Sequence, residues 1–216
     1  MGEAGRREAG ERPGGLEHST VLIAGAACSL GAELCHGYAG SGARVVAVDA
    51  DEPALLDIAS AAPHRIDPLA FDVMRPDVCR RLGDAWAEEP LNVCVHMAPL
   101  RAPARPAAAM AAVEALVAAF SAGLRAGRGR VLILADTGPP DTSVTAELLH
   151  GALRRLAPAL QTRYAGGGVV VNAVLLPHAA TETLPPRALW QAVAYLTAPS
   201  GISAGGAVLP LLGRSD

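Results

Sequence analysis

The stretch "TVLIAG" at residues 20–25 is apolar without interruption. A strand with one wet face alternates polar and apolar residues, so a strand apolar throughout must be covered on both sides. Similar runs recur along the chain: "ARVVAVDA" (43–50), "HRIDPLAFDV" (64–73), "LNVCVHMAP" (91–99), "GRVLILAD" (129–136), "GGVVVNAVLL" (167–176) and "GGAVLPLL" (205–212). Helical stretches separate them, at about 30–39, 52–60, 75–86, 107–126, 143–164 and 188–198. Pro53 suits the first turn of the second of these, and Val78, Leu82 and Trp86 recur at four-residue steps in the third. Seven strands alternating with helices predict an α/β fold, a doubly wound parallel sheet in one domain over residues 19–216.

Composition narrows the function. Hydrophobic residues make up 51% of the 216 and charged residues 18%, which excludes a disordered chain. A net charge of −3 gives no electrostatic basis for nucleic acid or an anionic membrane as partner. All 18 basic residues are arginine, so no step can use a lysine ammonium or a Schiff base. Cys28, Cys35, Cys79 and Cys94 lack metal-ligand spacing and read as reduced, buried, small hydrophobes. His96, His150 and His178 fall in no HxxxH or HExxH pattern, so no metal is expected. Residues 1–18 are charged and glycine-rich without an apolar signal core, and are expected to be a disordered leader. No apolar run is long enough to span a membrane, and a cytoplasmic protein is expected.

The most informative local pattern is "VLIAGAACSLGAELC" (21–35), a strand passing through a glycine turn into a helix. Gly25 lets the backbone approach a phosphate, and the helix behind it supplies free N–H groups and a positive dipole end. Gly31 completes the turn together with Leu30. Ser29 stands where a second glycine is usual; its hydroxyl is suited to donating to phosphate or capping the helix. Asp49 ends the second strand, where an acid accepts hydrogen bonds from the adenosine ribose. A carboxylate there repels a 2′-phosphate, which favours NAD(H) over NADP(H). Asp72, with Val73, follows the third strand on the adenine side. Each acid also has a plain structural reading, Asp49 as a helix cap and Asp72 as a solvated loop residue.

In this order the features resemble the short-chain dehydrogenase/reductase family across residues 20–213. "AGAACSLG" stands for the family's TGxxxGxG, "FDV" for its adenine-side Asp-Val, "VVVNAVLLP" for "IRVNAVSPG" and "SAGGAVLPLLG" for "ITGQVLPVDGG". The resemblance implies a Rossmann fold, a nicotinamide dinucleotide cofactor, Ala98 as the retained residue of the "NNAG" segment, and pairing of the helices near 107–126 and 143–164 across a subunit interface. It also implies an Asn-Ser-Tyr-Lys catalytic set, and there this chain departs. Ala135 and Asp136 stand at the serine's place. The tyrosine and lysine positions fall near Ala146 and His150. The asparagines, Asn92 and Asn172, lie off the long helix. Tyr164 falls at the helix end, as a packing residue, and the lid segment after Pro177 is very short.

Three functions follow as expectations. The first is a family relative with a partly kept NAD(H) site and a degenerate catalytic site, acting as a sensor or a non-catalytic partner. It would associate with itself or with an active homologue. The second is an active NAD(H)-dependent oxidoreductase using Asp136 and His150 as substitute acid/base groups. The third is a non-redox cyclase, isomerase or lyase using the same cleft.

Overall fold

A computed structural model describes residues 16–136, 144–178, 185–199, 201 and 204–211. Seven parallel strands form one sheet in the order β3-β2-β1-β4-β5-β6-β7. They are β1 (Thr20–Ala24), β2 (Arg44–Asp49), β3 (Ile66–Ala70), β4 (Val93–His96), β5 (Arg130–Asp136), β6 (Val170–Leu176) and β7 (Val208–Pro210). The helices are α1 (Ser29–Gly40), α2 (Glu52–Ser60), α3 (Pro76–Trp86), α4 (Ala98–Arg101), α5 (Pro106–Ala119), α6 (Ser121–Ala126), α7 (Val144–Tyr164) and α8 (Pro186–Thr197). The doubly wound sheet expected from the apolar runs is the one observed.

Both faces of the sheet are covered, and alternate residues divide between them. Val21, Ile23, Val45 and Val95 pack with Leu34 of α1, Leu55 of α2 and Val193 of α8. Leu22, Val46, Cys94 and Ile133 pack on the other side with Leu116 of α5 and Leu153 of α7. Burying such side chains contributes about 1.5–3 kcal/mol each. β3 contains Pro68, which a sheet tolerates because β3 is an edge strand. The buried cysteines behave as expected of small core hydrophobes: burial pushes the thiols of Cys35 and Cys94 up to about 12 and that of Cys79 to about 11.

Three details differ from the sequence reading. The fourth strand is shorter, because Ala98–Arg101 turns into the short helix α4. The helix near 107–126 breaks at Phe120, whose buried ring packs edge-on against Trp86 at 5.1 Å. Beyond the break, the Gly123 carbonyl accepts a hydrogen bond from Leu91 N–H, which directs α6 toward the entry to β4. Third, Leu16, within the 1–18 stretch read as a leader, is buried in the core; residues 1–15 lie outside the described residues.

The turn after β1 needs two glycines for different reasons. Gly25 has φ +87°, a left-handed conformation that disfavours a side chain. Gly31 lies so close to the first loop residue that a Cβ there would run into the Ala26 carbonyl. Gly31→Ala is expected to destabilise the fold by about 1–3 kcal/mol, the range typical of overpacking, read as a lower urea midpoint. An unchanged midpoint would show that the turn relaxes freely.

Candidate functional site

In a doubly wound sheet, strand order reverses between β1 and β4, and the crevice at their carboxyl ends is the place for a ligand. A cavity of about 190 Å³ lies there. Gly25, Asp49, Ala50, Asp72, Val73, Met74, Ala98, Arg101 and Ala102 line it. Five residues singled out from sequence (Gly25, Asp49, Asp72, Val73 and Ala98) therefore converge, although they come from four separate strand ends. A larger hollow, about 470 Å³, opens at the opposite edge of the sheet beside Asn92, Arg128 and Arg130. It lies away from the glycine turn.

The turn is held from below. Gly25 N–H and Ala26 N–H both donate to the Val48 carbonyl, at 2.8 and 3.0 Å. Leu30 and Gly31 are buried within the first turn of α1. Ser29 is the first residue of that helix and is exposed; the cap is instead Cys28, whose Sγ accepts from Gly31 N–H at 3.4 Å. The capping role expected of Ser29 thus belongs to its neighbour, because Cys28 has the extended backbone that a cap requires. Ser29 remains free to face solvent at the helix N-terminus.

Asp49 is 8% exposed and is more heavily engaged than its position in sequence suggested. Its Oδ2 accepts from Ala27 N–H at 3.1 Å, and its Oδ1 from Asp51 N–H at 3.3 Å. Arg101 of α4 forms an ion pair with Oδ2 and also donates to the Gly25 carbonyl at 3.4 Å. The cap of α2 is Asp51, which accepts from Ala54 N–H at 3.1 Å, so Asp49 is not that helix's cap. Asp72 is exposed and folds its own loop by accepting from Met74 N–H at 2.8 Å, while its neighbour Val73 is buried. Arg101 escaped the sequence reading because nothing local marks an arginine five residues past a strand as reaching back across the crevice.

At the far side of the crevice the expected Asp136–His150 pair takes another form. The Asp136 carboxylate faces His178, with His178 Nδ1 at 3.3 and 3.2 Å from its two oxygens. His150 Nε2 instead meets the Asp136 main-chain oxygen at 3.3 Å. The reason is geometric: β5 and β6 run side by side in register from Arg130–Val170 to Asp136–Leu176, so His178, just beyond β6, comes level with the end of β5. His150, one helical layer away on α7, reaches only the backbone. Among the described residues no group of three or more His, Cys, Asp or Glu is placed to hold a metal ion.

The tyrosines and asparagines are committed elsewhere. Tyr38 is buried and hydrogen-bonds Thr197 Oγ1 at 2.6 Å; burial raises its pKa. Tyr164 is buried at the end of α7 with Arg125 stacked 5.6 Å from its ring centre, and Tyr195 is exposed on α8. Asn92 joins Thr20 N–H to the Gly127 carbonyl, and Asn172 joins Ala207 N–H to the Ala204 carbonyl. Each asparagine closes a loop. Residues 137–143 and 179–184, the latter part of the short segment after Pro177, lie outside the described residues.

With this geometry in hand, the solved structures can be compared. A short-chain dehydrogenase/reductase family oxidoreductase from Burkholderia thailandensis superposes with a TM-score of 0.72 at 25% identity, over 89% of this chain and 91% of that one. The chain is related to the short-chain dehydrogenase/reductase family. The structure of BdcA (YjgI) from E. coli matches in fold with a TM-score of 0.68, at 19% identity, over 92% of this chain and all of that one. Neither the family models nor the curated proteins give a match. The family's fold usually binds a nicotinamide dinucleotide. No described helix is long and apolar enough to cross a membrane.

His96 marks a weak point beneath the site. It ends β4, is fully buried, and accepts from Ala98 N–H through Nδ1 at 3.2 Å. Its Nε2 lies within electrostatic reach of the Ala112 main chain but makes no hydrogen bond of ordinary geometry among the described residues. Burial pushes its pKa down to about 4 from an ordinary 6.5, with the Ala112 main chain opposing the shift. Between those values the unfolded chain takes up a proton that the native imidazole refuses. This residue's contribution to stability is therefore full above pH 6.5 and falls by about 1.4 kcal/mol per unit down to pH 4, roughly 3 kcal/mol in all. His96→Leu is expected to flatten the slope of unfolding free energy across this window. An unaltered slope would mean that another group sets the acid sensitivity.

Proposed function

We propose that this chain binds NAD(H) chiefly through the adenosine half and carries out no hydride transfer, acting as a nucleotide-responsive sensor or as a non-catalytic partner of itself or of an active homologue. The observation that carries this reading is an asymmetry between the two halves of the crevice. Gly25, Asp49, Asp72, Val73 and Ala98 surround one cavity on the adenosine side. On the other side, the chain has no lysine at all, and α7 presents Ala146 and His150 where the family resemblance calls for tyrosine and lysine.

The residues fit an adenine dinucleotide on three counts. A left-handed glycine opens the turn, the Gly31 cradle leaves no room for a side chain, and the Asp49 carboxylate stands at the tip of β2. A bound dinucleotide would supply a hydride; this chain's own residues would hold the ribose hydroxyls at Asp49 and the diphosphate at the start of α1. Two carboxylates, Asp49 and Asp72, line the cavity against one guanidinium, Arg101. That excess disfavours a 2′-phosphate and favours NAD(H) over NADP(H).

The Asp136–His178 pair supports one second reading, an active NAD(H)-dependent oxidoreductase. In it the imidazole, oriented by the carboxylate, would donate a proton to a carbonyl oxygen as hydride arrives at the carbon. His150, bonded to main chain, would position Asp136 in that reading.

Fluorescence titration decides whether the site holds nucleotide. NADH is expected to bind, and Asp49→Ala to weaken it by at least about tenfold, the equivalent of about 1.4 kcal/mol and close to the low end for one lost charged hydrogen bond. Equal binding by the variant would remove Asp49 from the site. Monitoring NADH at 340 nm with a panel of aldehydes and ketones is expected to show no consumption. Turnover that disappears in His178→Ala would establish the oxidoreductase instead.

A further inference from the structure

The group that most shapes the candidate site is Arg101, and it already occupies the acid that a ribose would use. Asp49 Oδ2 is engaged twice, by Ala27 N–H and by the Arg101 guanidinium, and Oδ1 once, by Asp51 N–H. The same guanidinium reaches the Gly25 carbonyl, and its Cδ lies 3.5 Å from where a Cβ on Gly25 would be. The arginine stem therefore covers the bare face of the glycine that must approach a ligand. The remaining cavity, about 190 Å³, is smaller than the roughly 300–1,000 Å³ of ordinary ligand pockets.

Resting on the nucleotide reading above, we propose that Arg101 is a latch: it closes the site in the absence of ligand and is released by the diphosphate of an ADP-containing molecule, not by a neutral nucleoside. Separating the pair leaves a nearly buried carboxylate with only the Ala27 and Asp51 N–H groups, and a partly exposed guanidinium with only the Gly25 carbonyl; neither keeps its opposite charge. Adenosine replaces only the first partner, through its ribose hydroxyls, and leaves the guanidinium without a counter-charge. A diphosphate satisfies the second as well. It is drawn to the N-terminal turn of α1, next to Gly25, and a guanidinium pairs with phosphate oxygens in a charge-assisted fork. Opening is thus an exchange of partners: Asp49 passes from Arg101 to ribose, and Arg101 from Asp49 to phosphate. The main chain of Arg101 is anchored, since its N–H donates to the Met97 carbonyl at 2.9 Å, while its side chain is 35% exposed. The chemical class recognised is the ADP moiety, whatever is attached beyond the second phosphate.

Calorimetric titration of the full chain with adenosine, ADP and NADH tests the latch, using the wild type, Arg101→Met and Arg101→Gln, with thermal unfolding to confirm that each variant folds. The wild type is expected to bind ADP and NADH at least tenfold more tightly than adenosine. In either variant adenosine should gain at least fivefold, and the preference for ADP should shrink to within threefold. If the ratio of ADP to adenosine affinity is unchanged in both variants, the latch is refuted while the nucleotide site stands. Adenosine binding that weakens in both would make Arg101 an ordinary ligand contact and refute the latch equally. If none of the three ligands binds any of the proteins, the nucleotide reading falls and takes the latch with it.

Discussion

A sheet buried on both faces has only its strand ends available for polar chemistry. That constraint organises this molecule. Residues along β1, β2, β4, β5 and β6 are committed to two apolar layers, so Asp49, His96 and Asp136 sit at or next to the last position of their strands. Because all seven strands are parallel, these ends gather at one edge, and the reversal between β1 and β4 opens the crevice there. The fold thereby brings Gly25, Asp49, Asp72 and Ala98 together from across some seventy residues of chain without any of them being near in sequence.

The crevice is not uniformly furnished. Its adenosine side keeps the backbone geometry of a phosphate-approaching turn, but its acid is paired internally. Its other side carries the Asp136–His178 carboxylate–imidazole contact. In the latch proposed above, the Asp49–Arg101 pair opens to a ligand that brings its own anion.

The backbone-level features were legible in the sequence because they are written in local patterns. Apolar runs marked the seven strands, uninterrupted in β1 and broken by polar residues in β3, and the glycine turn and Asp49 followed from their offsets to β1 and β2. Long-range side-chain pairings were not legible. Nothing around Arg101 announces that it folds back over Gly25 to Asp49. The exchange of His150 for His178 as the partner of Asp136 follows from the register of β5 against β6, which a single sequence leaves unspecified. Cys28 displaced Ser29 as cap for a similar reason: which of two adjacent residues has the extended backbone is decided by how the turn hangs from Val48. The break at Phe120 was hidden by an alanine-rich stretch that reads as one helix, and only the Trp86 contact and the link from Leu91 to Gly123 show where it must bend.

The central claim is that nucleotide recognition survives on the adenosine side alone. Saturation-transfer-difference NMR of the protein with NADH measures this directly, since it reports which ligand protons lie against the protein. The adenine and adenosine-ribose protons are expected to receive most of the saturation, with the nicotinamide ring protons only weakly affected. Saturation as strong or stronger on the nicotinamide ring would contradict the account, by showing that the half of the crevice read as degenerate still grips the reactive end.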